Sequence, residues 1–184
     1  MTTRVQPRLR DLTSADADRI AQITRATGVF REEELGIAAE VFADAAEAAE
    51  RAGKAETAGV HPAVSALPAR SADLPYYLLG AELDGRLIGW ICWGATPCTE
   101  GTWDLYWLAV DPEAQGYGVG SALVEEMESR LKGRARLISV DTSGRLDYAP
   151  TRRFYAARGY QPVAVVPDFY APGDDQVIFT KVLG

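Results

Sequence analysis

The chain has 184 residues, a formal net charge of −7, 47% apolar residues and a single histidine. That length suits one domain, 1–184, with a core of its own. The acidic balance argues against nucleic acid as a main partner, because phosphate contacts need clustered Lys and Arg. It permits a cationic substrate without demonstrating one.

In chain order, Val5 to Leu12 reads as a first strand, and Pro7 assigns it to a sheet edge. Thr13 or Ser14 caps a helix that runs to about Thr27 and stops at Gly28, with Ala17, Ile20, Ala21 and Ile23 or Thr24 facing inward. A second helix spans Arg31 to Arg51. Its apolar stripe is Leu35, Ile37, Ala38, Val41, Phe42 and Ala45, and its remaining surface is strongly acidic. Residues 52–74 form a Gly/Ala/Pro-rich connection with little periodicity, long for a compact domain, and read as mobile, locally helical or a rim of the binding site. Tyr76 to Leu83 and Arg86 to Gly94 flank Asp84-Gly85, a strong hairpin signal.

The stretch from Thr102 to Gly133 carries the chemistry. TWDLYWLAV reads as a buried strand ended by Asp111 and Pro112. The helix that follows repeats Val119, Ala122, Leu123, Met127 and Leu131 at helical spacing and stops at Gly133. Between them lies Gln115-Gly116-Tyr117-Gly118-Val119-Gly120. Glycines there permit positive φ, and the first helical turn offers unpaired N–H groups and the positive end of the dipole. Together they suit a phosphate or pyrophosphate; the plainer reading is a turn that lets the helix pack closely on the sheet. Arg136 to Asp141 is the next strand, Pro150 opens a helix stopped by Gly159, and Tyr160 to Val166 and Gln176 to Val182 are strands around a polar loop.

The scarcity of histidine removes reaction classes. A Ser-His-Asp or Cys-His centre would depend on His61, which lies in the Ala/Pro/Ser-rich stretch. Cys92 and Cys98 lack the further ligands of a zinc site and read as reduced thiols, so no metal is expected. No apolar run approaches a membrane span, and MTTRVQPRLRDL has no signal core, so a cytoplasmic location is expected.

Three phosphate-binding patterns compete for the loop. A Walker-type loop needs a terminal Lys-Ser/Thr pair, absent here. A dinucleotide fingerprint needs its glycines directly after the strand. Five residues intervene and the third glycine comes too early, although Asp141 follows about twenty residues on and keeps that pattern open. The third pattern, [Gln/Arg]-x-x-Gly-x-[Gly/Ala], is met by Gln115, Gly118 and Gly120 after Leu-Ala-Val-Asp-Pro. It resembles the coenzyme A pyrophosphate loop of the GNAT N-acetyltransferase superfamily. The stretch from Asp147 to Tyr160 resembles that family's fourth-helix signature, with Phe154 for its Leu, Tyr160 for its final Phe, and Tyr148 where many members carry Asn.

The order β-α-α-β-β-β-α-β-α-β-β indicates a mixed α/β sheet. The resemblance implies a mostly antiparallel GNAT-like central sheet flanked by helices. It also implies acetyl transfer from acetyl-CoA to a primary amine, directly in a ternary complex, and allows a homodimer. On the same resemblance, Gln115, Gly116, Tyr117, Gly118, Val119, Gly120 and Ser121 would hold the pyrophosphate. Backbone groups of Leu108, Ala109 and Val110 would hold the acetyl and pantetheine arm. Tyr155 aligns with the family tyrosine that approaches the coenzyme sulfur, and Asp104 occupies the central-strand position of a catalytic Glu, with Glu100 in reserve. Strand alternation would place Asp104 on one face with Tyr106, Leu108 and Val110. The acidic second helix, Asp168, Asp174, Asp175 and Tyr170 are further candidates for an amine site. The alternative is a non-catalytic acyl-CoA-binding sensor or assembly domain.

Overall fold

The computed structural model describes residues 6–57 and 76–184, with backbone alone for 51–57. Among the described residues, seven strands form one sheet in the order β1-β2-β3-β4-β5-β7-β6. They are β1 (Arg8–Arg10), β2 (Tyr77–Leu83), β3 (Arg86–Ala95), β4 (Thr102–Val110), β5 (Leu137–Ser143), β6 (Gln161–Ala171) and β7 (Asp174–Val182). Every pairing is antiparallel except β4 with β5. Helices α1 (Ala17–Ala26) and α2 (Glu32–Thr57) cover one face, and α3 (Val119–Leu131) and α4 (Ala149–Ala156) accompany the other.

The sequence explains most of these elements locally. Asp84 and Gly85 both have positive φ, 51° and 78°, the turn whose twist matches a two-residue hairpin. β3 is buried from Leu87 to Gly94 because both its faces are covered. On one side Ile91 and Trp93 meet Leu123 and Met127 of α3; on the other Trp90 and Cys92 meet Ile20, Ile23 and Phe42 of α1 and α2. Trp90 keeps its indole N–H satisfied by donating to the Thr24 hydroxyl at 3.0 Å.

Several boundaries depart from expectation. Among the described residues the first strand is Arg8–Arg10, at the sheet edge as Pro7 implies, and Val5 of the expected strand lies outside them. Thr13 starts a short 3-10 turn, Ser14–Asp16, before α1. Helix α2 runs on to Thr57. The rest of the predicted 52–74 connection, with His61, lies outside the described residues. The polar loop after Val166 is largely strand, because Asp side chains satisfy its turn: Asp168 N donates to Asp175 at 3.0 Å and Gly173 N to Asp168 at 2.6 Å. Cys92 is buried, Cys98 is exposed, and both are free thiols.

One irregularity reorganises β4. Cys92 pairs with Trp107, but its neighbour Trp93 pairs with Leu105, so Tyr106 is an extra residue. Such a bulge inverts the alternation beyond it. Trp103 and Leu105 face the α3 side before it, Leu108 and Val110 pack there after it, and Trp107 and Ala109 turn towards α1 and α2. Asp104 therefore does not share a face with Leu108 and Val110, contrary to simple alternation. β4 also parts from β5: their pairing ends at Leu105 with Val140, while β5 stays paired with β7 as far as Ser143. The β5-facing edge of Tyr106 to Val110 is left open.

Candidate active site

A cleft of about 620 Å³ opens beside the last residues of β4. Leu108 and Val110 form one wall, the turn from Gln115 to Ser121 and the start of α3 a second, and Thr151, Phe154, Tyr155 and Arg158 of α4 and its end a third. Gly116 and Gly118 have φ of 80° and 92°, a conformation costly for residues with a Cβ. Gly118 is the N-cap of α3 and supplies no side-chain acceptor, so the first-turn N–H groups stay available to an anion. Gly120 serves packing instead. A Cβ there would stand 3.3 Å from the Phe154 ring and 3.6 Å from Val110. Gln115 ties the loop down by donating from Nε2 to the Val110 carbonyl at 3.1 Å.

Of the ten expected donor-site residues, eight line this cleft. Tyr117 turns outward into a separate hollow beside Asp84 and Arg86, and the Ala109 side chain is buried on the opposite face, leaving only its backbone. Arg158, which sequence reading passed over, is the cation of the cleft wall. It lies 3.5 Å from the Phe154 ring centroid and donates to the Ser121 hydroxyl.

A second cavity, about 250 Å³, adjoins the first and is walled by Asp104, Tyr106, Trp107, Asp141, Tyr148 and Tyr170 among others. Phe30, Leu108, Thr151 and Tyr155 line both spaces, so the two meet there. Tyr155 is buried, with its ring edge-on to Phe154 and Tyr160. Burial pushes its phenol well above its ordinary value, which keeps the proton on Oη at neutral pH. Asp104 accepts from the Thr96 hydroxyl at 2.8 Å and from the Tyr106 hydroxyl. Burial raises its carboxyl above the ordinary range and outweighs those two hydrogen bonds.

The other acidic candidates separate. Asp174 is buried and joins a structural network: Arg31 donates to it, and so does the Ser143 hydroxyl at 2.5 Å. Arg145 lies 3.6 Å from Asp174 and donates to the Val29 carbonyl at 2.8 Å. Glu34 lines the cavity and caps its own helix through Arg31 N at 2.7 Å. Asp168 and Asp175 are occupied in the β6–β7 turn. Glu100 is exposed on the β3–β4 turn and belongs to neither cavity wall. Asp141, unassigned from sequence except as a nucleotide ribose partner, faces the second cavity and accepts from Gln176 Nε2 at 2.8 Å.

This architecture has relatives. The family model for the Acetyltransferase (GNAT) family matches residues 54–160. The chain belongs to that family. An uncharacterized N-acetyltransferase of Methanocaldococcus jannaschii is 32% identical over 101 residues, or 55% of this chain and 63% of the relative. The match thus spans less than two thirds of that relative's length. A GNAT-family structure from Desulfovibrio desulfuricans superposes with a TM-score of 0.75 at 32% identity, covering 97% of this chain and all, 100%, of the other. The PaiA N-acetyltransferase of Thermoplasma acidophilum, solved with coenzyme A, shares the fold at a TM-score of 0.63 and 17% identity, covering 97% and 99%.

Proposed function

We propose that the chain is a single-domain N-acetyltransferase that moves an acetyl group from acetyl-CoA to a primary amine, directly, in a ternary complex. The observation that carries this reading is the meeting of two cavities at Leu108 and Tyr155, with Asp104 in one and the glycine turn in the other. The cleft suits the donor. The uncapped start of α3 and the turn from Gln115 to Ser121 would hold its pyrophosphate, and the open edge of β4 would pair with its pantetheine arm as a strand would. When bound, acetyl-CoA supplies an activated thioester.

The chain's own groups address the two proton transfers. An aliphatic amine, with pKa near ~10.4, spends about 4–5 kcal/mol to lose its proton at neutral pH. Asp104, through water or directly, receives that proton. A backbone N–H among Leu108, Ala109 and Val110 polarises the acetyl carbonyl. The nitrogen–carbon bond forms as the carbon–sulfur bond breaks, Tyr155 Oη supplies a proton to the departing sulfur, and the extra proton on the new amide nitrogen passes through water to the Tyr155 phenolate and restores it. Nothing in this sequence of events calls for a metal.

The test is a thermal shift with acetyl-CoA, NAD and ATP in parallel, followed by thiol release with an amine panel. At 100-fold excess over its dissociation constant, the donor adds about 2.7 kcal/mol of stability. Stabilisation by NAD in place of acetyl-CoA would overturn the assignment. Binding of acetyl-CoA without turnover of any amine would make the protein an acyl-CoA-binding module.

A further inference from the structure

The second cavity differs from the first in its charge. Six ionisable side chains besides tyrosines face it: Arg31, Glu34, Asp104, Asp141, Arg145 and Asp174. Both arginines are committed to Asp174, and Arg145 also to Asp147. Among the described residues, Asp104 and Asp141 are hydrogen-bonded by neutral groups alone, the Thr96 and Tyr106 hydroxyls and the Gln176 amide. Glu34 is taken by the Arg31 backbone N–H as a helix cap, so among the described residues the cavity presents Asp104 and Asp141 as its two carboxylates bonded by neither a basic side chain nor a helix N-terminus, with Phe30, Tyr106, Trp107 and Tyr170 as its aromatic wall. Aromatic faces favour cations.

Register sets the spacing. Asp104 pairs with Ser139 across parallel strands, so Asp141 lies two residues further along on the same face. Two residues of strand advance about 6.6 Å, and the strands lie about 4.8 Å apart. The space, about 250 Å³, equals roughly eight water volumes at ~30 Å³ each, room for a short aliphatic chain. Its inner end is the junction with the donor cleft at Leu108 and Tyr155.

We propose that the acceptor is a small aliphatic diamine, with Asp104 facing the nitrogen that is acetylated and Asp141 holding the second, positively charged nitrogen. This inference rests on the acetyl-transfer reading and specifies its acceptor. A monoamine would leave Asp141 without a cation. An amino acid would bring its carboxylate against both acidic side chains, because the arginines that could receive it are already paired. Asp141 is then a binding and specificity residue, distinct from the proton acceptor.

The experiment compares diaminobutane, butylamine and aminobutyrate as acceptors at saturating acetyl-CoA, by thiol release and mass of the product. A charge-assisted hydrogen bond is worth about tenfold to a hundredfold. The kcat/KM for diaminobutane should exceed that for butylamine by at least about tenfold, with aminobutyrate slowest. In Asp141→Asn, whose amide oxygen can still accept from Gln176, the diamine-to-monoamine ratio should collapse towards one. An acetyl-CoA thermal shift on the variant reports that its donor site is folded. Equal use of butylamine, preference for aminobutyrate, or no turnover of diaminobutane by a protein that binds acetyl-CoA would each overturn the diamine assignment and leave the donor site standing. Absence of acetyl-CoA binding would instead remove the reading beneath it. Those wild-type comparisons decide the matter even where the variant fails to fold.

Discussion

Asp174→Asn should destabilise the protein and loosen the acceptor side of the cleft. The carboxylate joins three segments that are distant in sequence. Arg31 immediately precedes α2, Ser143 ends β5 and Arg145 follows it, and Asp174 itself opens β7. Arg31 also donates to the Tyr170 carbonyl at 3.0 Å, so the link reaches the end of β6. Removing one partner of a fully buried pair costs about 3–5 kcal/mol. The Asp174 side chain is 5% exposed, but those of Arg31 and Arg145 are 32% and 28% exposed, so water recovers part of the loss and about 2–3 kcal/mol remains. At roughly 2–4 °C per kcal/mol for a chain of this size, the Tm should fall by about 4–12 °C. Calorimetry and urea unfolding would measure both quantities, and acceptor KM should rise more than the acetyl-CoA dissociation constant. A double-mutant cycle with Arg31→Met isolates the pair. Coupling below about 0.5 kcal/mol would refute the claim that this ion pair holds the segments together.

Asp104→Asn should act on activity and stability in opposite directions. Its carboxyl is raised by burial in the folded state, so its favourable contribution is full below the unfolded pKa and is lost as pH rises through the folded one. At neutral pH the ionised group costs stability. The amide should therefore raise the Tm while lowering kcat/KM and abolishing the acidic limb of its pH profile; an intact limb would remove Asp104 as base. Tyr155→Phe should lower kcat well beyond any change in acetyl-CoA affinity, because the ring stays packed against Tyr160 and Phe179 while the proton donor is lost; unchanged turnover would exclude it. Gly118→Ala places a Cβ at a φ of 92°, costs about 1–2 kcal/mol, and should weaken acetyl-CoA binding measured by calorimetry. Unaltered affinity would mean that the turn serves packing alone.

Features that depend on a few neighbouring residues were legible in the chain. Asp84-Gly85 specified its hairpin, the 3.6-residue pattern located α1, α2 and α3, and the glycine spacing from Gln115 to Gly120 marked the turn before α3. Features that depend on how two strands count against each other were not. The polar run after Val166 gave no strand signal, because its order comes from Asp168 and Asp175 bonding the turn that joins β6 to β7. Asp141 drew notice only as a nucleotide ligand, since its relation to Asp104 exists through the β4–β5 register. Arg158 has no motif, and only the fold brings it to Ser121.

The bulge at Tyr106 is the most consequential of these, because it explains how one strand serves two substrates. In an unbroken β4, Asp104, Leu108 and Val110 would project from the same face, and the base would point into the donor's wall. One extra residue reverses the alternation. Asp104 then faces the smaller cavity, while Leu108 and Val110 turn to the cleft beside α3. The parting of β4 from β5 begins at the same place, just after Leu105, and opens the backbone edge that the donor would occupy. In the proposed mechanism the amine and the thioester approach from opposite sides of this one irregularity. Their separation is therefore a property of pairing register, and a residue deleted at Tyr106 should cost catalysis more than it costs the binding of acetyl-CoA.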